Sequence, residues 1–233
     1  MNATVSKSME EDNLQTQWTE VDNYINSLLV PPDPILGATL ESGASAGLPP
    51  HNVSPSQGKF LYLLSRIRAT RSILEIGTLA GYSTIWFARS LPIDGHITSL
   101  ESDPLCVKIA QANIERAGVA DIVEIIPGKA LDTLPRLVDK KPFDLIFIDA
   151  DKVHNPEYFS WALKLSKVGS LIIIDNVIRN GSVIDSQSTD PSVQGVRRLN
   201  EIISIESRVS ATTIQTVGSK GYDGFTLALV VAE

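Results

Sequence analysis

Cysteine is nearly absent. Cys106 is the only one in 233 residues, so the chain can form neither an internal disulfide nor a cysteine-based metal cluster. Long apolar runs are missing too. No stretch approaches the roughly 18 residues that a membrane span needs. The start, Met1-Asn-Ala-Thr-Val-Ser-Lys-Ser8, has no apolar segment of the kind that directs secretion. Basic charge is in deficit, with 20 Lys+Arg against 27 Asp+Glu. The basic residues are scattered and adjacent only at Lys140-Lys141 and Arg197-Arg198, which argues against a nucleic-acid backbone as partner. There is no internal repeat and no low-complexity tract. With 43% hydrophobic and 20% charged residues, the composition is that of an ordinary globular protein. The expectation is one cytoplasmic domain with neither membrane nor nucleic acid as partner.

Residues 1–14 are polar and read as a frayed tail, which leaves 15–233 as the domain. From Trp18 the spacing is helical: Trp18, Val21, Tyr24-Ile25 and Leu28-Leu29 share a face. Pro31-Pro32 ends that helix, and Asp33 with Pro34 can cap the next. A third helix, with Phe60, Leu61, Leu64 and Ile67 as its stripe, is expected after Pro49-Pro50. Residues 15–70 therefore form a helical arm.

From 71 onward, short apolar runs alternate with helical patterns, the form of βαβ units in a parallel sheet. Strands are expected at Ile73–Gly77, Ile97–Glu101, Ile122–Ile126, Phe143–Ala150 and Ser170–Asp175. Helices are expected at Ser83–Leu91, Pro104–Ala117, Leu131–Val138 and Pro156–Lys167, with another after Pro191. Two last runs, Ala211–Val217 and Phe225–Ala232, are joined by seven residues. That is too few for a crossover, so they form an antiparallel hairpin. The fold class is α/β: a mostly parallel seven-stranded sheet with a C-terminal antiparallel hairpin and an N-terminal helical arm.

In such a sheet, ligands bind at the carboxyl ends of the strands, near the point where strand order reverses. The first strand ends Leu74-Glu75-Ile76-Gly77 and runs into Thr78-Leu-Ala-Gly81-Tyr-Ser83. Gly77 and Gly81 permit a tight turn and close approach of a ligand, with Ser83 and free helix N–H groups able to hold an anion. Glycines alone fit a plain strand-to-helix turn equally well. Glu101 closes the second strand, 24 residues beyond Gly77. An acid there suits the two hydroxyls of a ribose, or it is simply solvated. Together these features suggest an adenosine-containing cofactor, and the missing G-x-G-x-x-G fingerprint demotes NAD.

Strands four and five end in Phe147-Ile-Asp149-Ala-Asp151-Lys152 and Ile174-Asp175-Asn176. If they are neighbours, Asp149 and Asp175 lie about 5 Å apart, and such a pair repels unless positive charge lies between. With Asn176 they make an incomplete all-oxygen set suited to a hard cation, Mg²⁺ first, with Mn²⁺ or Ca²⁺ as alternatives. The plainer reading has each Asp capping its own loop. Lys152 is a surface lysine or, beside a divalent cation, a base. His51, His96 and His154 show no ligand spacing and read as structural. Cys106 reads as core filler, and Tyr82, Trp86 and Phe87 as packing.

Glu75-Ile-Gly-Thr-Leu-Ala-Gly-Tyr-Ser83, Phe143-Asp-Leu-Ile-Phe-Ile-Asp-Ala-Asp-Lys152 and Ile174-Asp-Asn-Val177 resemble motifs of the cation-dependent O-methyltransferases, the family of the catechol and caffeoyl-coenzyme-A enzymes. The likeness extends to His51-Asn-Val-Ser54 and Gly218-Ser-Lys-Gly-Tyr-Asp-Gly-Phe225. It implies a Rossmann-like methyltransferase fold, S-adenosylmethionine as cofactor, a small phenolic substrate with vicinal hydroxyls, and a homodimer. By motif it implies Val53, Glu75, Gly77, Thr78 and Ser83 at the methionine end and Glu101 at the ribose. Ala130 would lie beside the adenine, and Asp149 and Asp151 would be further cofactor contacts. The same resemblance implies Asp149, Asp175 and Asn176 as cation ligands and Lys152 as general base. Val153–Glu157 lacks the tyrosine of plant-type members, with Tyr158 close by, and Arg179–Asp190 is the segment expected to face the substrate. Two other readings stand beside this one. A nicotinamide-dependent oxidoreductase gives no reason for Asp149, Asp175 and Asn176 to converge. A non-catalytic protein that keeps the cofactor pocket would tolerate Lys152→Ala and Asp149→Ala.

Overall fold

Three helices lead into the sheet: α1 (Asn2–Leu29), α2 (Pro34–Ser45) and α3 (Pro55–Ile67). The computed structural model describes residues 2–140 and 142–233, so Met1 of the expected tail and Lys141 of the basic pair lie outside the described residues. Helix α1 runs through the stretch expected to fray. The Asp33 carboxylate accepts from the Ile35 and Leu36 amides with Pro34 in the first turn, so α2 starts where its cap pattern predicts. Helix α3 starts later than expected. Its cap is Ser54, which accepts from the Gln57 amide, and residues 51–54 stay outside the helix.

The α/β part follows as β1 (Ser72–Ile76), α4 (Tyr82–Ala88), β2 (His96–Glu101), α5 (Pro104–Arg116), β3 (Val123–Pro127) and α6 (Ala130–Thr133). Then come β4 (Leu145–Ile148), α7 (Asn155–Lys164), β5 (Leu171–Asp175), α8 (Pro191–Ile205), β6 (Val209–Gly218) and β7 (Gly221–Val230). The strand order is β3-β2-β1-β4-β5-β7-β6. The first five are parallel and β7 is antiparallel to both its neighbours, which is the architecture expected.

Two local expectations need correction. Only Ser219 and Lys220 separate β6 from β7, because both strands extend past their apolar runs into polar residues. The helix expected over Leu131–Val138 breaks after Thr133 into a 3₁₀ turn, Leu134–Leu137, since Pro135 cannot donate to a helical ladder.

Both faces of the central strands are covered, which is why they read as unbroken apolar runs. Leu74, Ile76, Ile146, Ile148, Ile172 and Ile174 pack on one face with Phe159 of α7 and Leu199 of α8. Ile73, Leu145, Phe147 and Ile173 pack on the other with Ile85 and Phe87 of α4 and Leu61 of α3. At roughly 1.5–3 kcal/mol for each fully buried side chain of this size, these two layers dominate the fold's stability.

The register pairs Ile76 with Ile148 and Ile148 with Ile174, so β1, β4 and β5 end level. Strand order reverses between β1 and β4. Gly77 is required there. Its φ is +101°, and a Cβ would lie 2.2 Å from the Asp149 carbonyl oxygen.

Candidate active site

A cavity of about 1310 Å³ opens at this carboxyl edge. Pockets of roughly 300–1,000 Å³ hold one drug-sized molecule, so there is room for two small ones side by side. Val53, Gly77, Thr78, Ser83, Glu101, Ala130, Asp149, Asp151, Lys152, Asp175 and Asn176 all line it. Eleven of the twelve expected residues thus come together from five strand ends and the arm.

Glu75 is the exception. It lies behind the wall at 0% exposure, on the face of β1 that meets α4. The Ser83 hydroxyl donates to its Oε1 (2.6 Å), and those of Thr84 and Ser99 donate to its Oε2 (2.5 and 2.6 Å). Burial pushes its pKa up to about 7 against the pull of the three hydroxyls. Its carboxylate ties α4 to the sheet and meets the cavity only through Ser83.

Glu101 is partly committed as well. Its Oε2 accepts from the Thr78 and Leu79 amides (3.1 and 2.9 Å) and its Oε1 from the Asp103 amide (2.9 Å). It therefore fixes the glycine turn, in which Leu79 has a φ of +51°. The Thr78 hydroxyl shares a 2.6 Å hydrogen bond with Ser99.

The acidic cluster sits at the ends of β4 and β5. Lys152 Nζ donates to Asp149 Oδ1 at 2.8 Å. Gln57 Nε2 donates to Asp175 Oδ2 at 2.7 Å, and the Asn176 amide donates to Asp175 Oδ1 at 2.9 Å. Burial, and after it the charge of Asp149, raises the Asp175 pKa to about 7, with Lys152, the Asn176 amide and Gln57 opposing. One ammonium thus faces two carboxylates. Lys152 is 7% exposed, so it is no surface lysine.

Asp151 immediately precedes that lysine in the chain. Its side chain caps the 3₁₀ turn Lys152–His154. Tyr158 Oη donates to its Oδ2 at 2.6 Å, and His154 Nδ1 lies 2.5 Å from its Oδ1. Desolvation works against ionisation, but the bonds from Tyr158 and His154 outweigh it and hold the Asp151 carboxyl below the usual range. Burial and the neighbouring Asp151 raise the Tyr158 pKa.

The structural reading holds for His96, whose ring bonds Ser72 (3.1 Å), but His51 and His154 line the cavity. Cys106 is buried, and burial raises its thiol pKa to about 11. Of the segment Arg179–Asp190 only Arg179 lines the cavity. Among the polar lining residues, Gln57 and Lys220 were given no role from the sequence, and Tyr158 was noted only for its nearness to the lysine. Gln57 stands 118 positions from the carboxylate it bonds, so no local spacing joins the two. Tyr158, seven residues past Asp151, did carry a signal in its distance from the Asp-Ala-Asp-Lys motif.

The O-methyltransferase family model matches residues 32–231. A catechol O-methyltransferase from Niastella koreensis is 54% identical over 215 residues, covering 91% of this chain and 97% of its own. An O-methyltransferase from Bacillus cereus, solved in complex with SAH, is 56% identical with a TM-score of 0.91 and covers 93% of this chain and 99% of its own. An O-methyltransferase of tomaymycin synthesis from Streptomyces achromogenes, solved with SAM, is 49% identical with a TM-score of 0.91, covering 94% and 99%. These likenesses set aside the nicotinamide and the non-catalytic readings. Because the family match runs from ahead of α2 to the end of β7 and takes in the whole sheet with the cavity at its edge, the chain belongs to the O-methyltransferase family.

Proposed function

We propose that the enzyme moves the methyl group of S-adenosylmethionine to one oxygen of a small aromatic with vicinal hydroxyls. In this reading a divalent cation is held by Asp149, Asp175 and Asn176, and Lys152 is the general base. The observation that carries it is the acid pair. Asp175 is buried where the charge of Asp149 helps to raise its pKa, and the one lysine of the cluster pairs with Asp149 at 2.8 Å, so a further cation beside the two acids would favour their ionised forms. The cluster's donors are hard oxygens, which fits Mg²⁺, Mn²⁺ or Ca²⁺. The relatives named catechol O-methyltransferase and those solved with SAM or SAH support the substrate class and the cofactor.

Val53, Gly77, Thr78 and Ser83 would receive the methionine end, Glu101 the ribose and Ala130 the adenine, with Asp149 and Asp151 as further contacts. Glu75 acts by holding Ser83. A bound divalent cation supplies Lewis acidity that brings a phenol of pKa about 10 toward neutrality, and the cofactor supplies a methyl group on a sulfonium. Lys152 would take the phenolic proton. With the cofactor bound between these residues, the methyl group would pass to the phenolate oxygen as its bond to sulfur breaks, with the thioether as leaving group. Nucleophile and sulfonium attract each other, so positioning is the protein's main contribution. Asp151 serves it by capping the turn that carries Lys152.

The reading includes a homodimer. Along α1, Val21, Tyr24, Leu28 and Leu29 are 49–68% exposed, and on the edge strand β6 Ile214 and Val217 are 46% and 52% exposed. An apolar helix face beside an open strand edge is a surface that a second copy would cover. The test of the chemistry is methyl transfer from labelled S-adenosylmethionine to catechol, with Mg²⁺ and with EDTA. Turnover abolished by EDTA and restored by Mg²⁺ is expected, and turnover indifferent to EDTA would sink the cation reading.

A further inference from the structure

The strand order divides the cavity. Glu101 and the 128–130 turn follow β2 and β3 on one side of β1, whereas Asn176 and Arg179 follow β5 on the other. The hairpin enlarges the second side. β7 pairs Phe225 with Asp175, so residues 221–224 and the turn beyond them project past the ends of the parallel strands by roughly 14 Å, at about 3.4 Å per residue. This overhang is pinned. Gln15 of α1 donates to the Gly218 carbonyl (3.0 Å), and Asp22 accepts from the Ser219 amide (2.8 Å). Lys220 Nζ donates to the Pro50 carbonyl (2.6 Å) and sits on the cavity rim.

Arg179 is held as firmly. Arg179, Asn180 and Gly181 all have positive φ, at 57°, 55° and 81°, a region that residues with a β-carbon avoid. Asp223 Oδ1 stabilises the segment by accepting from the amides of Ile178, Arg179 and Gly224 (2.9, 3.1 and 3.0 Å). Asp223 is thereby committed to backbone. Among the described residues, neither Arg179 nor Lys220 has a carboxylate within 4.0 Å. Arg179 Nε is buried with no hydrogen-bond partner. An unpartnered buried guanidinium nitrogen on strained backbone is what a ligand site holds in readiness.

We propose that Arg179 and Lys220 form an anion subsite for a carboxylate carried by the substrate. The favoured acceptors are then vicinal-dihydroxy aromatic acids, with the ionised group distal to the hydroxyls. The inference rests on the proposed vicinal-diol reading of the site. Arg179 offers a planar fork suited to a carboxylate, and Lys220 adds a point charge at the rim. The same two charges disfavour acceptors with a cationic tail.

The test compares kcat/KM for 3,4-dihydroxybenzoate, catechol and 3,4-dihydroxyphenethylamine at saturating S-adenosylmethionine, in the wild type, R179Q, R179K and K220Q. The wild type should prefer the acid to the amine. R179Q should lower the acid-to-catechol ratio at least about tenfold, as loss of a charge-assisted pair predicts, and R179K should recover part of it. K220Q should lower the ratio by less. Calorimetric binding of 3,4-dihydroxybenzoate and catechol to the enzyme with S-adenosylhomocysteine should show the same loss for the acid without any turnover. An unchanged acid-to-catechol ratio in R179Q overturns the proposal. So does an R179Q whose only change is a higher KM for S-adenosylmethionine with every acceptor, which would assign the guanidinium to the cofactor's own carboxylate. A wild type that methylates none of the three acceptors fails the vicinal-diol reading itself, and the calorimetric preference still decides the subsite.

Discussion

Glu75→Gln isolates the cost of burying one carboxylate. Glu75 is fully buried, and three hydroxyls donate to it. Those bonds favour the charged form and desolvation disfavours it. Desolvation wins, leaving the pKa at about 7 against 4.5 for an ordinary glutamate. A raised acid pKa means that the fold binds the proton more tightly than the unfolded chain does. Its stabilising contribution is therefore present below the unfolded pKa and lost as pH rises through the folded one. Between pH 5 and 8 the loss amounts to about 2.5 kcal/mol.

Glutamine keeps the shape and cannot ionise. Its amide nitrogen would replace the oxygen facing Thr84 and Ser99, so those hydroxyls must turn to accept, which Ser99 can do while donating to Thr78 (2.6 Å). A deficit of about 1 kcal/mol is expected at pH 5 from imperfect rearrangement. By pH 8 the difference should have moved about 2.5 kcal/mol in favour of the variant. Urea unfolding of both proteins at pH 5, 6, 7 and 8, without divalent cation, measures it. The titration of Asp175 is common to both and cancels in the difference. A stability difference that stays constant across this range refutes the reasoning, because the hydroxyl cage would then keep Glu75 ionised throughout.

Tyr158→Phe removes the donor to Asp151 Oδ2. It should raise the KM for S-adenosylmethionine about fivefold, the equivalent of one hydrogen bond of about 1 kcal/mol, in steady-state assays. An unchanged KM would remove Asp151 from the cofactor site. Ile214→Glu combined with Val217→Glu places charge on the exposed edge strand, and sedimentation velocity is expected to show a dimer for the wild type, as proposed, and a monomer for the variant. Cys106, buried and with a thiol pKa raised to about 11, should react with an aromatic disulfide at pH 8 about a hundredfold more slowly in the native than in the urea-unfolded protein, following its thiolate fraction.

The sheet was legible because its central strands are buried on both faces and stop at an acid. Leu171–Ile174 is apolar without a break, and Asp175 ends it at the cavity edge. Helix starts were legible where Asp precedes Pro, at Asp33, Asp103 and Asp190, each of which accepts a first-turn amide. Pro49-Pro50 misled because Ser54-Pro55, the pair that carries a cap, follows so closely. The hairpin misled because β7 starts with Gly221-Tyr-Asp-Gly and β6 runs on to Gly218, residues with the chemistry of a loop. Glu75 shows the deeper limit. Its motif marks a strand end, but its burial is set by Ser83 and Thr84 of the next helix and Ser99 of the next strand. Gln57 was beyond reach for the same reason, since it meets the cavity from an element whose placement only the fold determines, whereas Arg179 opens the segment expected to face the substrate and Lys220 lies in the motif before the last strand.

Strand order also arranges the chemistry. Outward from the reversal between β1 and β4, one side carries Glu101 and Ala130 and the other carries Asp175, Asn176 and Arg179. A cofactor on the first side and an acceptor on the second would meet over Gly77 and Asp149, where the backbones approach so closely that a β-carbon cannot fit. On the proposed reading the acceptor side has acids at its inner end and, at its outer end, two cations with no carboxylate partner among the described residues. On that reading a neutral catechol would use only the inner end. Discrimination among acceptors therefore falls to the outer end, on the β5 loop and the hairpin tip, which can vary without disturbing the strands that position the reacting groups.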